Sequence, residues 1–411
     1  MFTVRSFAKI NLGLAIGPLR PDGFHELRTI YQTIALHDII RVSVTRGAGT
    51  NIDIRCPDPR VPKDQSNTCY RIVERAMSAL KARGRVIIEI EKRLPVQGGL
   101  GGASGNAVTT LLALERALKK SLPAPEKLRI AAEVGSDVSL FLFGGTVLGV
   151  GRGEEVYPLA DLPALPCVIA TPDIAVSTPK AFAAWDAQFS CGAGALAREV
   201  APPNQPDASA PGGHDFSRAT NANPRVASAA KRRHSLAQHV SAGEEKAEQN
   251  RVPLGTALNR DTDSGALARA LSALTPATPS DRLLMFSRNL SAWLNSQASS
   301  GRASSGVPAG KRRGRAETPL LDLVRAGIEN DFEQVVFPQY PELREVKRVL
   351  EMAGAFYASL SGSGAAVYGL FASREKAGKA AARLLKMGIP AVATATLTRR
   401  QYLRKFLVAG S

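Results

Sequence analysis

The chain contains the stretch Leu94-Pro95-Val96-Gln97-Gly98-Gly99-Leu100-Gly101-Gly102-Ala103-Ser104-Gly105-Asn106-Ala107. It follows a segment typical of a strand, residues 86–90, and leads into a helical pattern at residues 106–119. Glycines let the backbone approach a ligand closely, and the first N–H groups of a helix are unpaired at the positive end of its dipole. The stretch therefore predicts a phosphate-binding loop. The alternative is a flexible glycine loop without a ligand.

The glycine spacing excludes two common nucleotide-binding patterns. The loop lacks the G-x-x-x-x-G-K-[ST] order of a P-loop. It also lacks a clean G-x-G-x-x-G after the first strand, so a dinucleotide-binding fold does not fit well.

Two other segments carry polar residues at apolar positions. Lys9 and Asn11 interrupt Phe7-Ala8-Lys9-Ile10-Asn11-Leu12, which is costly unless their polar ends reach a polar site. Asp137 directly precedes the apolar residues 138–143. The alternatives are a surface lysine that packs its stem along the body, and an aspartate that only caps a helix.

Strand and helix patterns occupy both ends of the chain. Strands are predicted at residues 39–44, 86–90 and 365–371, and helices at residues 67–82, 106–119, 343–353 and 377–386. Elements in this order are typical of an α+β layer fold. Asn67 stands where a helix N-cap is expected.

Residues 187–316 differ in composition from both flanks. They are rich in Ala, Ser, Pro, Gly and Arg, so they bury too little apolar surface to offset the entropy of ordering. We expect a long, largely disordered insertion. Residues 281–295 are the exception, because helical spacing there predicts an amphipathic helix that docks on the body through Leu283, Leu284, Phe286, Leu290, Trp293 and Leu294.

The composition narrows the class of partner. The chain has 411 residues and a formal net charge of +17, which suits nucleic acid, an anionic membrane or anionic small molecules. The basic clusters at residues 231–233 and 311–315 lie in the insertion and lack interleaved aromatic residues for base stacking, which disfavours nucleic acid. The four cysteines have no metal-ligand spacing and indicate reduced thiols and a cytoplasmic location. No signal peptide or membrane span is expected.

Taken together, these residues make the chain similar to the GHMP kinases, a family named for galactokinase, homoserine kinase, mevalonate kinase and phosphomevalonate kinase. The likeness covers about residues 1–186 and 318–400. It rests on the glycine loop and on the motifs Ala8-Lys9-Ile10-Asn11-Leu12, Arg20-Pro21-Asp22-Gly23-Phe24-His25-Glu26-Leu27, Gly135-Ser136-Asp137-Val138, Val176-Ser177-Thr178-Pro179, Asn330-Asp331-Phe332-Glu333 and Leu360-Ser361-Gly362-Ser363-Gly364-Ala365.

The resemblance implies an α+β fold of two domains. A ribosomal protein S5 domain 2-like domain that binds ATP would occupy residues 1–160. A ferredoxin-like domain on the substrate side would occupy residues 161–400, interrupted by the insertion at about residues 187–316.

The resemblance also implies roles for single residues. Asp137 would be the general base, with Lys9 beside it to neutralise charge on the transferring phosphoryl group. Mg²⁺ would bridge phosphate oxygens and keep mostly water ligands, so no protein metal ligands are expected. The ATP phosphates would rest on Pro95, Gly98, Gly99, Leu100, Gly101, Gly102, Ala103, Ser104 and Gly105.

On the substrate side, the resemblance implies contacts from four residues. Asn11 would bind the polyol or its diphosphate, and Thr178 would line the same side. The ring of Phe24 would stack on a cytosine face while His25 hydrogen-bonds the edge of the base. Without the resemblance, His25 reads as a solvated loop histidine. The glycine turn at residues 361–364 would close against the phosphates.

The segment Asp22-Gly23-Phe24-His25 resembles that of GHMP kinases acting on the 2-hydroxyl of a cytidine diphosphate-linked methylerythritol in the non-mevalonate isoprenoid pathway. The alternatives are a homoserine- or mevalonate-type kinase and, less favoured, a nucleic-acid-binding module. The sequence departs from the family pattern at Ala103, Gly105 and Phe24, where glycine, serine and tyrosine are usual. The enzyme is expected to be a monomer or homodimer without a membrane partner.

Overall fold

A computed structural model describes residues 1–96, 98–189, 278–300 and 328–407, with only the backbone described for residues 292–300. Most of the predicted insertion, including both basic clusters, lies outside these residues, and its disorder stays a prediction. The first residues assigned to it belong to ordered structure, because the helix Thr178–Phe189 continues through them.

The first sheet is built on two long strands, β1 (Phe2–Leu19) and β2 (His25–Arg46), which pair antiparallel along most of their length. The other strands extend the sheet on both sides of β2. They are β3 (Thr50–Arg55), β4 (Gly84–Glu91), β5 (Thr146–Val150) and β6 (Glu155–Pro158), in the order β3-β4-β2-β5-β6. Only the β3–β4 pairing is parallel among these strands.

Three helices bury their apolar faces together with this sheet: α1 (Thr68–Ala79), α2 (Gly102–Leu118) and α3 (Ala124–Val134). Asn67 caps α1, because its side-chain oxygen accepts a hydrogen bond of 2.8 Å from the Cys69 N–H, and the capping prediction is confirmed. The fully buried members of this core include Ile40, Val42, Ile72, Val73, Val86, Ile88, Val108, Leu111 and Leu114.

The second sheet is antiparallel and has the order β10-β7-β9-β8. Its strands are β7 (Pro166–Ala170), β8 (Tyr357–Leu360), β9 (Val367–Leu370) and β10 (Ala391–Ala395). The helices of this half are α4 (Thr178–Phe189), α6 (Glu333–Gln339), α7 (Pro341–Met352) and α8 (Arg374–Lys386). The last helix, α9 (Arg399–Lys405), returns to the first sheet, where Tyr402 packs on Phe7.

A third apolar cluster joins the two sheets and receives the helix predicted inside the insertion. Strand β1 contributes Ile10 and Leu12, and the second sheet contributes Ile169 and Tyr368. Helix α5 (Pro279–Ser300) packs into this cluster through Leu283, Phe286 and Leu290. Docking of this helix is confirmed, although Leu284 is exposed and the Trp293 and Leu294 side chains lie outside the described residues.

The predicted elements differ from the observed ones mainly at their ends. Helix α2 begins at Gly102, four residues before its predicted start, so part of the glycine stretch is helical. The boundary predicted near residue 160 falls between the two sheets. Since a shared core joins the sheets, the division into two domains at that residue stays a prediction.

Candidate active site

Asp137 lies in the turn after α3 and contacts two donors. Its Oδ2 is 3.3 Å from Lys9 Nζ, and its Oδ1 accepts a 2.9 Å hydrogen bond from the Tyr31 hydroxyl. The Lys9 side chain is only 3% exposed, so it is not a surface lysine. The short 3-10 helix that follows, Ser139–Leu142, has no side-chain cap, so Asp137 is not an N-cap. Burial, and then the Asp137 carboxylate, raise the pKa of the Tyr31 phenol, so Tyr31 remains a hydrogen-bond donor.

A chain of polar side chains holds Lys9 in place. Lys9 Nζ donates to Asn11 Oδ1 over 2.6 Å, and Asn11 Nδ2 donates to Thr29 Oγ1 over 2.7 Å. Thr29 in turn donates to the Gly13 carbonyl. The β1–β2 pairing shifts register on both sides of the segment from Lys9 to Asn11. Such irregularities re-aim side chains, which explains how two polar residues in a buried strand reach one site.

The glycine loop reaches Lys9 through its backbone. The Lys9 N–H donates to the Leu100 carbonyl over 2.9 Å. Gly101 has a φ of 68°, and a Cβ at this position would lie 2.9 Å from Lys9 Cγ, so only glycine fits. The first intrahelical bond of α2 runs from Gly105 N–H to the Gly101 carbonyl, which leaves the preceding N–H groups directed out of the helix end. Backbone donors for a phosphate therefore lie beside Lys9.

The packing of α2 accounts for one of the departures from the family pattern. A Cβ at Gly105 would lie 2.8 Å from the Phe7 carbonyl oxygen, so serine would not fit against β1 here without a shift. Ala103 is exposed, and its carbonyl accepts a 2.8 Å hydrogen bond from the Thr68 hydroxyl. Neither residue disturbs the backbone donors at the helix start.

The turn at residues 361–364 packs directly on the glycine loop. Ser361 Oγ donates to the Gly99 carbonyl over 3.0 Å. A Cβ at Gly362 would lie 3.5 Å from both Lys9 Nζ and Asn11 Oδ1, so this turn borders the lysine as well. The Thr178 and Ser363 hydroxyl oxygens lie 2.7 Å apart. Segments from both sheets thus meet around the loop.

His25 lies in a buried pocket at the start of β2. Its Nδ1 is 3.0 Å from the Gly17 carbonyl oxygen, and its Nε2 is 3.2 Å from Asp186 Oδ1. The imidazole stacks on the Phe182 ring, with 5.0 Å between centroids. It is therefore not the solvated loop histidine of the alternative interpretation.

Phe24 has a different environment from its neighbour. Its side chain is 50% exposed, and the Arg152 guanidinium carbon lies 4.9 Å from the ring centroid. The two residues predicted to contact cytosine thus face an open surface and a closed pocket, respectively.

The structure adds three side chains that the sequence patterns did not identify: Tyr31, Phe182 and Asp186. Tyr31 looks like one more apolar strand residue, and only the fold brings Asp137 to it. A signal existed for the other two, because Thr178, Phe182 and Asp186 are four residues apart and share one face of a helix.

In the part of the chain that is described, no helix could cross a membrane, and no three His, Cys, Asp or Glu side chains are grouped to hold a metal ion. The oxygen donors at the site are the Asp137 carboxylate and the hydroxyls near the loop. This donor set suits a hard cation that arrives with phosphates rather than a protein-bound transition metal.

Comparison with known proteins identifies the family. Residues 67–145 match the family model described as GHMP kinases N terminal domain, and residues 317–389 match GHMP kinases C terminal. The 4-diphosphocytidyl-2-C-methyl-D-erythritol kinase of Solibacter usitatus (strain Ellin6076) is 31% identical over 371 residues, which cover 90% of this chain and 81% of that protein. The chain belongs to the GHMP kinases, in the 4-diphosphocytidyl-2-C-methyl-D-erythritol kinase family.

This GHMP kinase is also similar to a second relative and to a solved structure. The protein of the same name from Acaryochloris marina (strain MBIC 11017) is 39% identical over 190 residues, 46% of this chain and 61% of that protein. A crystal structure of 4-(cytidine 5'-diphospho)-2C-methyl-D-erythritol kinase superposes with a TM-score of 0.56 over 96% of this chain and 98% of that chain, at 23% identity. The structural likeness supports the predicted two-domain α+β GHMP kinase fold.

Proposed function

We propose that this GHMP kinase transfers the γ-phosphoryl group of ATP to the 2-hydroxyl of 4-diphosphocytidyl-2-C-methyl-D-erythritol. The observation that carries the proposal is the 3.3 Å contact between Lys9 and Asp137 beside the glycine loop. The names of the curated relatives support the choice of substrate over mevalonate and homoserine.

Backbone N–H groups at the start of α2 bind the phosphates of ATP in this proposal. The helix dipole favours negative charge at the same place, and no side chain caps this end of the helix. When bound with ATP, Mg²⁺ would neutralise charge on the triphosphate while keeping mostly water ligands. The open helix end therefore serves as the anion site.

Asp137 accepts the proton of the attacking hydroxyl as the new O–P bond forms and the bond from the γ-phosphorus to the bridging oxygen of ADP breaks. Tyr31 and Lys9 each contact one carboxylate oxygen, and every such oxygen keeps a further lone pair for the proton. Lys9 is almost fully buried, so its charge acts on the transferring group with little screening by water. Positioning and electrostatics supply most of the acceleration.

Acceptor recognition is assigned to the pocket around His25. His25 and Phe182 stack on each other in this pocket, and half-exposed Phe24, next to His25 in sequence, offers an aromatic ring for stacking on cytosine. His25 Nε2 faces Asp186, so an edge-on hydrogen bond to cytosine competes with that carboxylate. Asn11 and Thr178 border the glycine turn and are the polar contacts for the polyol and its diphosphate.

A cytoplasmic location fits the thiol chemistry. Cys56, Cys69 and Cys167 are buried free thiols. Proteins of oxidising compartments more often pair such residues in disulfides. We also propose that the enzyme is a monomer or a homodimer.

The direct test offers the purified chain ATP, Mg²⁺ and one of three acceptors: 4-diphosphocytidyl-2-C-methyl-D-erythritol, mevalonate or homoserine. We expect turnover with the first alone, and phosphorus NMR should locate the new phosphate on its 2-hydroxyl. Turnover with mevalonate or homoserine instead would reject the substrate assignment while keeping the kinase assignment.

A further inference from the structure

Asp38 is a fully buried carboxylate next to the glycine loop, and no role in the proposed reaction accounts for it. It lies on β2 with 0% exposure. Its Oδ2 accepts hydrogen bonds from Lys92 Nζ over 2.6 Å and from Asn106 Nδ2 over 3.0 Å. Its Oδ1 accepts from the backbone N–H groups of Arg93 and Leu94, both over 2.8 Å.

These four donors come from the two ends of the loop. Lys92, Arg93 and Leu94 follow β4 and lead into the glycines, whereas Asn106 lies in the second turn of α2. One carboxylate therefore fixes the distance between the segment that enters the loop and the helix that leaves it. Between these anchors, the described loop residues bond mainly through their backbone, to Lys9 and to the turn at residues 361–364.

The polar groups around Asp38 are arranged for a carboxylate. Asn106 Oδ1 is buried without a partner among the described residues, because its amide nitrogen is turned toward Asp38. Leaving a buried acceptor unpaired is unfavourable, and the contact with Asp38 offsets that cost. Lys92 is 10% exposed and would be left as a poorly solvated cation without its partner.

We propose that Asp38 is a positioning residue for ATP, which holds the loop ends at the separation that aims the α2 N–H groups at the triphosphate. The inference rests on the proposed kinase function. Asp38 acts through the loop, because it is too buried to touch the nucleotide itself. Small displacements of positioning groups have large kinetic effects, which makes the idea measurable.

Asp38→Asn is the main variant. Asn keeps one acceptor oxygen for the Arg93 and Leu94 N–H groups but turns a donor toward Lys92. The matched control is Glu115→Gln at the other end of α2, because Glu115 is also buried, contacts Lys127 at 2.7 Å and accepts from the Leu122 N–H over 2.6 Å. Both variants remove one buried ion pair and keep the backbone hydrogen bonds to the remaining acceptor oxygen, two at position 38 and one at position 115.

We expect Asp38→Asn to raise KM for ATP, and Kd for a non-hydrolysable ATP analogue by calorimetry, at least about tenfold, with acceptor KM unchanged. Glu115→Gln should lower Tm about as much as Asp38→Asn does. It should leave KM for ATP and Kd for the analogue at their wild-type values. If Asp38→Asn does not fold, Asp38→Glu keeps the charge pair but lengthens the anchor, and it should weaken binding of the analogue in the same way.

An unchanged Kd for the analogue in a folded Asp38 variant, with only Tm lowered, would show a structural anchor and overturn the inference. The inference would also be overturned if Glu115→Gln raised KM for ATP and Kd for the analogue as much as Asp38→Asn does. Failure of the proposed function looks different, because the wild-type chain would then bind the analogue but not phosphorylate the cytidine diphosphate acceptor.

Discussion

The Tyr31 hydroxyl donates a 2.9 Å hydrogen bond to Oδ1 of Asp137, the carboxylate proposed as the base. We expect Tyr31→Phe to lower kcat about tenfold, because one oriented hydrogen bond is worth about 1–1.5 kcal/mol. The KM values should change little, because Tyr31 orients Asp137 rather than binding a substrate. Steady-state kinetics with both substrates checks this.

Tyr357→Phe is the control for Tyr31→Phe. Tyr357 donates to the Leu12 carbonyl over 2.7 Å, and burial raises the pKa of its phenol as well. This variant should lose some stability but keep kcat. Equal losses of kcat in the two variants would assign the effect to the fold rather than to Asp137.

His25→Ala should raise KM for the cytidine diphosphate acceptor far more than KM for ATP. The change removes the ring that stacks on Phe182 at the proposed nucleobase pocket. His37→Ala is the control, since His37 is a half-buried histidine on the same strand whose Nδ1 contacts the Ala35 carbonyl. Parallel increases in both KM values for His25→Ala would remove the cytosine assignment.

The contact between Arg282 and Asp331 predicts a pH-dependent loss of stability. The two side chains are 2.7 Å apart and tie α5 to the second half of the fold. Burial raises the pKa of the Asp331 carboxyl, whereas the Ile16 N–H and Arg282 oppose that rise. Because the pKa of Asp331 is raised in the folded state, stability is lost as the pH rises through that pKa. Removing Arg282 takes away a group that lowers the pKa, so the loss becomes larger.

Arg282→Met should therefore lower the free energy of unfolding by about 2–4 kcal/mol at pH 7. The loss should be smaller at pH 4, where Asp331 is closer to neutral. Urea unfolding at the two pH values measures the difference. Arg288→Met changes an exposed arginine on the same helix and should cost less than about 0.5 kcal/mol at both. A destabilisation by Arg282→Met that is larger at pH 4 would contradict the sign.

Cys69 should resist alkylation until the chain unfolds. Burial raises the pKa of its thiol to about 12, and only the thiolate reacts. Iodoacetamide at pH 8 followed by mass spectrometry should therefore label Cys69 in urea but not in the native chain. Fast labelling of Cys69 without denaturant would mean that α1 opens readily.

The sequence patterns identified the parts of the site that depend on local chemistry. Positive φ and close backbone approach single out the glycines, and buried polar residues in an apolar strand single out Lys9 and Asn11. The family resemblance added Thr178 and His25, and it gave Asp137, which the pattern left as either an N-cap or a catalytic residue, its expected role as the base. That Asp137 lies beside Lys9 and the glycine loop could be expected only from that resemblance, because strand and helix periodicity does not specify which distant segments meet.

The positioning contacts could not be read from the sequence. Asp38 lies between His37 and Ile39 on β2, and its four donors become its neighbours only through the register of β2 on β4 and the placement of α2. Tyr31 faces Asp137 for the same reason. Helix α5 was predicted from its apolar spacing, but its ion pair with Asp331 depends on where the helix docks.

The most direct test of the account is turnover by Asp137→Asn together with its affinity for a non-hydrolysable ATP analogue. We expect the variant to fold, to bind the analogue like the wild type and to lose kcat by at least about a thousandfold, since the proton acceptor is gone while the loop is intact. Turnover near the wild-type rate would contradict the central claim that Lys9, the glycine loop and Asp137 form one phosphoryl-transfer site.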